Sequence, residues 1–413
     1  MKHVVIVGAG FAGVRCALDL AERHLKDVKI TLINPTSHFE YHAALYRVLF
    51  GKTPMEVCIP LMAIFQKRRV EVLEDYIIDL DYKTNIVIGK SRSKYRYDYL
   101  VLALGSEVNY FNIPGLNNLS FSFKSITDAI RLKRHIHEVF ETCDRLDGQK
   151  QICDTRFVVI GGGATGVEIA GVLAVYTKKI AKLHQINPSL ISIDLISSST
   201  RLVPELEPTL STMVENRLRE LSVNIYLGRR VMKSEVEEVF LKDMTLKTRT
   251  VIWAAGTKGH HLYRSWGLPV DERGRAIVNK FLHPKDIKNI FVVGDGSNSK
   301  YSGLAETAIF HGSYVAETIT KIIKRYPINP ASEISPKIAV PVGPSWAVSK
   351  LGPLQETGYT GWLVRRMFDF QFFLSILPFK SAIDAFREEG RVWESCPVCV
   401  EAEAKFSSER LLR

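Results

Sequence analysis

One supersecondary unit occurs twice in this chain, and that repetition constrains the fold more than any other feature. Residues 4–7 (Val-Val-Ile-Val) form a short β-branched run, followed by Gly8-Ala-Gly10-Phe-Ala-Gly13 and a helical pattern. Residues 157–160 (Phe-Val-Val-Ile) begin a second copy, followed by Gly161-Gly-Gly163-Ala-Thr-Gly166 and another helical pattern. Each copy returns to a strand, at 28–33 and at 192–196, and so closes a βαβ unit of about 30 residues. Strand, glycine turn and helix in that order are the context a dinucleotide fingerprint requires. A single copy would be a weak signal, whereas two in the correct context make coincidence a poor explanation. The first glycine permits the tight turn, the second lets backbone approach a pyrophosphate, and the third lets helix pack close on strand. The helix N-terminus adds amide donors and a positive dipole end.

Three further apolar runs read as strands of the same sheets: 99–105, 250–256 and 290–295. The first two end in small residues, which suits backbone passing close to a ligand. The third ends in Gly294-Asp295-Gly296. Ligands of a parallel sheet sit beyond the carboxyl ends of its strands, so Asp295 is expected to face one. The expected fold class is α/β, with two Rossmann-like dinucleotide-binding domains and a C-terminal section. The boundaries expected are 1–120 and 286–330 for the first domain, 121–152 for a connecting helix, 153–285 for the second domain, and 331–413 for the rest.

At 413 residues, 46% hydrophobic and 24% charged, the chain can bury a sizeable core and is neither disordered nor fibrous. A net charge of +11 favours anionic partners, but Lys67-Arg68-Arg69 is the densest basic run, so nucleic acid is not expected. Six scattered cysteines argue for a reducing compartment. No run of 18 apolar residues suggests a membrane span. The apolar strand begins right after Met-Lys-His, which reads as leaving no leader and places the chain in the cytoplasm. Cys396-Pro-Val-Cys399 is a lone thiol pair, too few ligands for a structural zinc site, so no metal is expected.

The two fingerprints and the late Val-Gly-Asp segment resemble flavoproteins with two dinucleotide-binding domains. Within them, residues 161–171 (Gly-Gly-Gly-Ala-Thr-Gly-Val-Glu-Ile-Ala-Gly) resemble the second fingerprint of type II NADH dehydrogenases. Residues 38–51 are similar to the segment running under their flavin. The resemblance covers about residues 1–320. It implies FAD in the first site, NADH or NADPH in the second, and transfer of two electrons to a membrane quinone without proton pumping. In that reading Gly8, Gly10, Phe11, Ala12 and Gly13 hold the FAD pyrophosphate, and Asn34 and Pro35 the ribose. Ala103, Gly105 and Ala305 flank the flavin, and Gly294 and Asp295 the ribityl chain. Gly161, Gly163, Ala164, Thr165 and Gly166 hold the second pyrophosphate, with Ala255 and Gly256 close by and Ser197 and Arg201 at the adenosine end. Glu168 is expected near the nicotinamide, influencing proton transfer.

Two departures from the family pattern matter, and one further feature excludes a set of relatives, the disulfide reductases. The family's quinone-site helix carries two glutamines, where this chain has Glu306 and Phe310 in Ala305-Glu-Thr-Ala-Ile-Phe310-His-Gly312. By position Glu306 is expected to be catalytic and, with Phe310, to bind the quinone, although an ionised carboxylate cannot donate to a quinone carbonyl. Asn34 and Ser197 replace the acids that usually accept from ribose hydroxyls, which points to relaxed choice between NADH and NADPH. The paired cysteines of the disulfide reductases are missing, since their region holds only Cys58.

Residues 362–377 are dense in apolar and aromatic side chains. On a helical wheel Leu363, Met367, Phe370, Leu374 and Leu377 share a face, flanked by Phe373 and Ile376, with Arg365, Arg366 and Asp369 opposite. This reads as an amphipathic helix lying on an anionic lipid surface, which would make the protein peripheral on the cytoplasmic face. A homodimer is the expected assembly. The alternatives are a sulfide:quinone reductase-like enzyme using Cys143 and Cys153, another flavin reductase with a different acceptor, and a redox-signalling flavoprotein.

Overall fold

The computed structural model describes residues 1–49, 57–145, 155–332 and 334–387. Cys153, Cys396 and Cys399, together with all of 388–413, lie outside them.

Two five-stranded, wholly parallel sheets organise the chain. In the first, Lys2–Val7 lies between Tyr99–Leu102 and Val28–Asn34, with Ile290–Val292 and Glu71–Glu74 at the edges. The edge strand Ile290–Val292 is the chain's return after the second sheet is complete. In the second, Arg156–Ile160 lies between Thr250–Trp253 and Ser192–Ile196, flanked by Ser120–Ser122 and Val223–Tyr226. Strands buried on both faces read as continuous apolar runs, and Val4, Val5 and Ile6 are wholly buried, as are Phe157, Val158 and Val159. The fingerprint strands are therefore the central ones, so each glycine turn projects from the middle of its sheet.

The fingerprint helices are Phe11–Glu22 and Ala164–Leu183. Helix Ala305–Ile323 packs along the first of them. Gly312 permits that approach, because a Cβ there would stand 2.4 Å from the carbonyl oxygen of Ala12. The connecting helix spans Ile126–Arg145, and the half-buried carboxylate of Glu40 accepts from the backbone N–H of Ile126 at its start.

The C-terminal section is an antiparallel sheet of Ile338–Pro341, Ala347–Leu351 and Leu354–Thr357, then helices Gly358–Ile376 and Phe379–Arg387. Helix Gly358–Ile376 departs from the expected wheel in one respect. Its charged side is the buried one: Asp369 has no exposed surface and Arg365 is buried, whereas Leu363, Met367 and Leu374 are 47%, 51% and 39% exposed. Phe373, Ile376 and Leu377 turn inward. The charges go inside because the first domain supplies them with partners. No described helix is long and apolar enough to cross a membrane.

Candidate functional site

Each fingerprint builds the same small cradle. Gly8 and Gly161 have φ of +101° and +130°, conformations that side chains other than glycine's rarely adopt. A Cβ on Gly8 would meet the Ala103 carbonyl oxygen at 2.3 Å, and one on Gly161 the Ala254 carbonyl at 2.5 Å. A Cβ on Gly13 or Gly166 would strike the carbonyl oxygen of Gly8 or Gly161 at 1.9 and 1.8 Å, respectively. The middle glycines, Gly10 and Gly163, face open space with nothing within 4 Å. Tight turn, open middle and close helix packing are what a pyrophosphate on a helix N-terminus needs, so both sites fit a dinucleotide.

Gly10 opens into a groove of about 300 Å³ along the carboxyl ends of the first sheet. Phe11, Ala12, Asn34, Pro35, Ala103, Gly105, Gly294 and Asp295 all line it, as expected from sequence. Its outer end widens at Asp75 and Tyr76 into a hollow bordered by Glu74 and Lys90. Its inner end runs into a second cavity of about 370 Å³, sharing Phe11, His42, Lys124, Asp295 and Ala308. That cavity is walled by both halves of the chain: Ala164, Thr165, Glu168, Ala254 and Gly256 from the second, Ala305 and Glu306 from the first, and Arg365 from the C-terminal helix.

Glu168 reaches this cavity from the first turns of its helix. Burial raises its carboxyl to about 8, against the pull of Arg365 and Arg47 and with the push of Asp369. At neutral pH it carries a proton. Arg365 and Arg47 belong to a buried network around Asp369. That carboxylate accepts from Tyr41 Oη at 2.7 Å and from Arg47, and stands 3.1 Å from the Arg365 guanidinium. Burial opposes its charge, but Arg365 and Arg47 hold its carboxyl below the usual carboxylate range. Phe372 clamps the same helix in place, stacked on Tyr41 at 4.9 Å between centroids and edge-on to Phe11 at 5.2 Å.

Asp295 is also held. It accepts from Ser106 Oγ at 3.1 Å and from the Gly303 N–H at 3.2 Å, and Lys124 Nζ donates to the same Ser106 hydroxyl at 2.8 Å. Burial lowers the Lys124 ammonium, while Asp295 and Asp128 hold it up. Beside His42, burial and hydrogen bonding act oppositely on Glu40. Bonds to His38 and His42 win and bring it down to about 2. Lys124 and His42 were missed by sequence reasoning, because an isolated lysine and histidine carry no pattern.

A model of the pyridine nucleotide-disulphide oxidoreductase family matches residues 2–312. The type II NADH:quinone oxidoreductase Ndh of Mycobacterium tuberculosis is 30% identical over 386 residues, covering 88% of this chain and 82% of that relative. The chain belongs to the type II NADH:quinone oxidoreductases. The enzyme of that name from Staphylococcus saprophyticus is 26% identical over 341 residues, covering 79% of this chain and 84% of that one. In fold, NDH2 from Plasmodium falciparum, solved in complex with NADH, superposes with a TM-score of 0.83 at 19% identity, covering 96% of this chain and 99% of that one.

Set in this family, several expected residues take different roles. Asn34 lines the groove, but its amide is spent on the protein: Oδ1 accepts from the Ala9 N–H at 2.8 Å, and Nδ2 donates to Thr36. It holds the glycine turn rather than presenting a free donor to a ribose. Ser197 is similarly committed, with its hydroxyl accepting from the Ser199 N–H at 3.1 Å and packed under Gly162. The Arg201 guanidinium donates to the Pro204 carbonyl, so it closes its own loop. Ala254, not Ala255, reaches the cavity; Ala255, past the end of strand Thr250–Trp253, packs against the apolar cluster on the second sheet. Glu306 lines the cavity and accepts from the Lys337 N–H. Phe310 does not reach it. One turn, about 6 Å, carries Phe310 past the cavity to a separate hollow, where it stacks on Tyr314. Among the described cysteines, Cys16 and Cys58 are core residues and Cys143 is half-buried on the connecting helix, and none of the three lines either cavity.

Proposed function

We propose that this chain is an FAD-dependent oxidoreductase that passes electrons from NADH to a quinone, with Glu168 as the proton-bearing group of the reaction cavity. One observation carries the reading: the two dinucleotide cradles open toward a single cavity whose walls come from both halves of the chain. When bound, FAD supplies the acceptance of a hydride from NADH and the return of two electrons to the quinone. The chain's own residues do the rest. Gly10 and Gly163 leave room for the two pyrophosphates. Asp295, fixed by Ser106 and Gly303, stands where it can accept from the ribityl chain. A carboxyl with a pKa of about 8 can give up its proton near neutrality at little cost, and reduction of a quinone to a quinol takes up two. Glu306, which lines the same cavity, is the second carboxylate that the acceptor meets.

The exposed Leu363, Met367 and Leu374, with Phe379 beyond them at 69%, form the face that meets a lipid surface, so the quinone is drawn from the membrane. The buried face of the same helix contributes Arg365 to the cavity, which couples docking to the site. Nucleotide choice is relaxed, because no carboxylate stands at Ser197 to repel a 2′-phosphate and Ser198 and Thr200 are exposed beside it. The assembly is a peripheral homodimer of the respiratory chain on the cytoplasmic face.

An anaerobic titration tests the function. NADH should bleach the flavin band, and a soluble quinone analogue should restore it within the mixing time. Restoration only by oxygen would refute the quinone acceptor and favour a signalling flavoprotein. Bleaching by sulfide but not by NADH would make the chain a sulfide oxidase instead.

A further inference from the structure

The two passages of the chain between its sheets run side by side as an antiparallel ribbon, Ser106–Val108 against Thr257–Gly259. Glu107 sits on one strand, and His260 and His261 follow directly on the other. Their ligand atoms all lie within 4.8 Å of one another. Glu107 Oε1 is 2.5 Å from His261 Nδ1 and 3.7 Å from His260 Nε2. The two imidazoles stack at 4.7 Å between centroids and 24° between planes. We propose that Glu107, His260 and His261 bind a divalent metal ion of the zinc class, clasping the ribbon where the chain crosses between its two dinucleotide-binding halves.

Two imidazole nitrogens and one carboxylate oxygen, with a fourth position open to water, form a borderline-soft donor set that suits zinc and excludes magnesium and calcium, which need oxygen. Tetrahedral bonds of about 2.0–2.1 Å place ligand atoms about 3.3 Å apart, within the range these three already span. The ion takes the place of the proton shared by Glu107 and His261. Coordination through His260 Nε2 requires the ring proton on Nδ1, so the long 3.3 Å contact from the Leu262 N–H is given up. Lys258 approaches only the other carboxylate oxygen, at 3.9 Å, leaving Oε1 to the metal. His261 is more than half exposed, which gives the ion a path from solvent. The lone Cys396/Cys399 pair carried the sequence argument against a metal; this site is assembled by strand pairing between residues 107 and 258.

The test is calorimetric titration of the FAD-loaded full chain with zinc chloride, in a Cys396→Ser/Cys399→Ser background so that tail thiols contribute nothing. One equivalent of zinc should bind, and magnesium should give no heat. His261→Ala and Glu107→Gln should each weaken zinc binding about tenfold or more, with an unchanged flavin spectrum reporting an intact fold. Absence of zinc binding in the parent, or parental affinity in either variant, would overturn the assignment.

Discussion

Tyr41 and Asp369 are 328 positions apart, yet the Tyr41 hydroxyl donates to the Asp369 carboxylate at 2.7 Å with both residues buried. This bond, the Arg47–Asp369 ion pair and the Arg365 bond to the Ala43 carbonyl tie the C-terminal helix to residues 41–47. Removing the carboxylate strands two buried cations. Asp369→Ala should therefore cost about 3–5 kcal/mol and lower flavin retention, measured by denaturant unfolding and by absorbance after gel filtration. Tyr41→Phe removes only one hydrogen bond, so about 1 kcal/mol is expected. Equal losses in the two variants would contradict the network.

On the proposed function, Glu168 is expected to set the alkaline limit of turnover. Its carboxyl, raised to about 8, is protonated below that pH and able to donate, so kcat should fall as pH rises through about 8. Glu168→Gln should slow turnover, leave flavin content intact and flatten that limb. Arg365 favours the ionised form, so Arg365→Gln should move the limb to higher pH. A downward move would mean that another group titrates.

The fingerprint glycines separate fold from binding. Gly10→Ala puts a methyl into open space, so the chain should fold but lose flavin. Gly163→Ala should keep flavin and raise the KM for NADH. Gly13→Ala, facing the Gly8 carbonyl at 1.9 Å, should instead reduce soluble yield. Flavin content, KM and yield read the three apart.

Replacing Leu363, Met367 and Leu374 together by glutamate should abolish sedimentation with anionic vesicles. Activity with a water-soluble quinone analogue should change little, because all three side chains are exposed. Unaltered vesicle binding would assign the membrane face elsewhere.

NADPH should be used within about tenfold of NADH by kcat/KM, since a charge-assisted ribose contact is worth about 1.5–3 kcal/mol and no acid at Ser197 supplies it. Ser198→Glu, on the exposed loop, should suppress NADPH use and spare NADH. Strict NADH dependence in the unmodified protein would refute relaxed choice.

The sequence by itself determined the two cradles, because a glycine turn between a strand and a helix is local. The chain must make that turn wherever it lies, so Gly8, Gly10 and Gly13, and Gly161, Gly163 and Gly166, were legible by spacing alone. The orientation of helix Gly358–Ile376 was not. Periodicity told that it had an apolar and a charged face, but partners 322 positions away decided that Arg365 points inward, by offering it the Ala43 carbonyl. The same holds for Asn34 and Ser197, whose polar groups the loops claim, and for Lys124, which gains meaning only beside Ser106 and Asp295. Backbone conformation follows from neighbours in sequence. Which polar side chains are left to act on a ligand depends on long-range hydrogen bonding, and only the tertiary structure decides that.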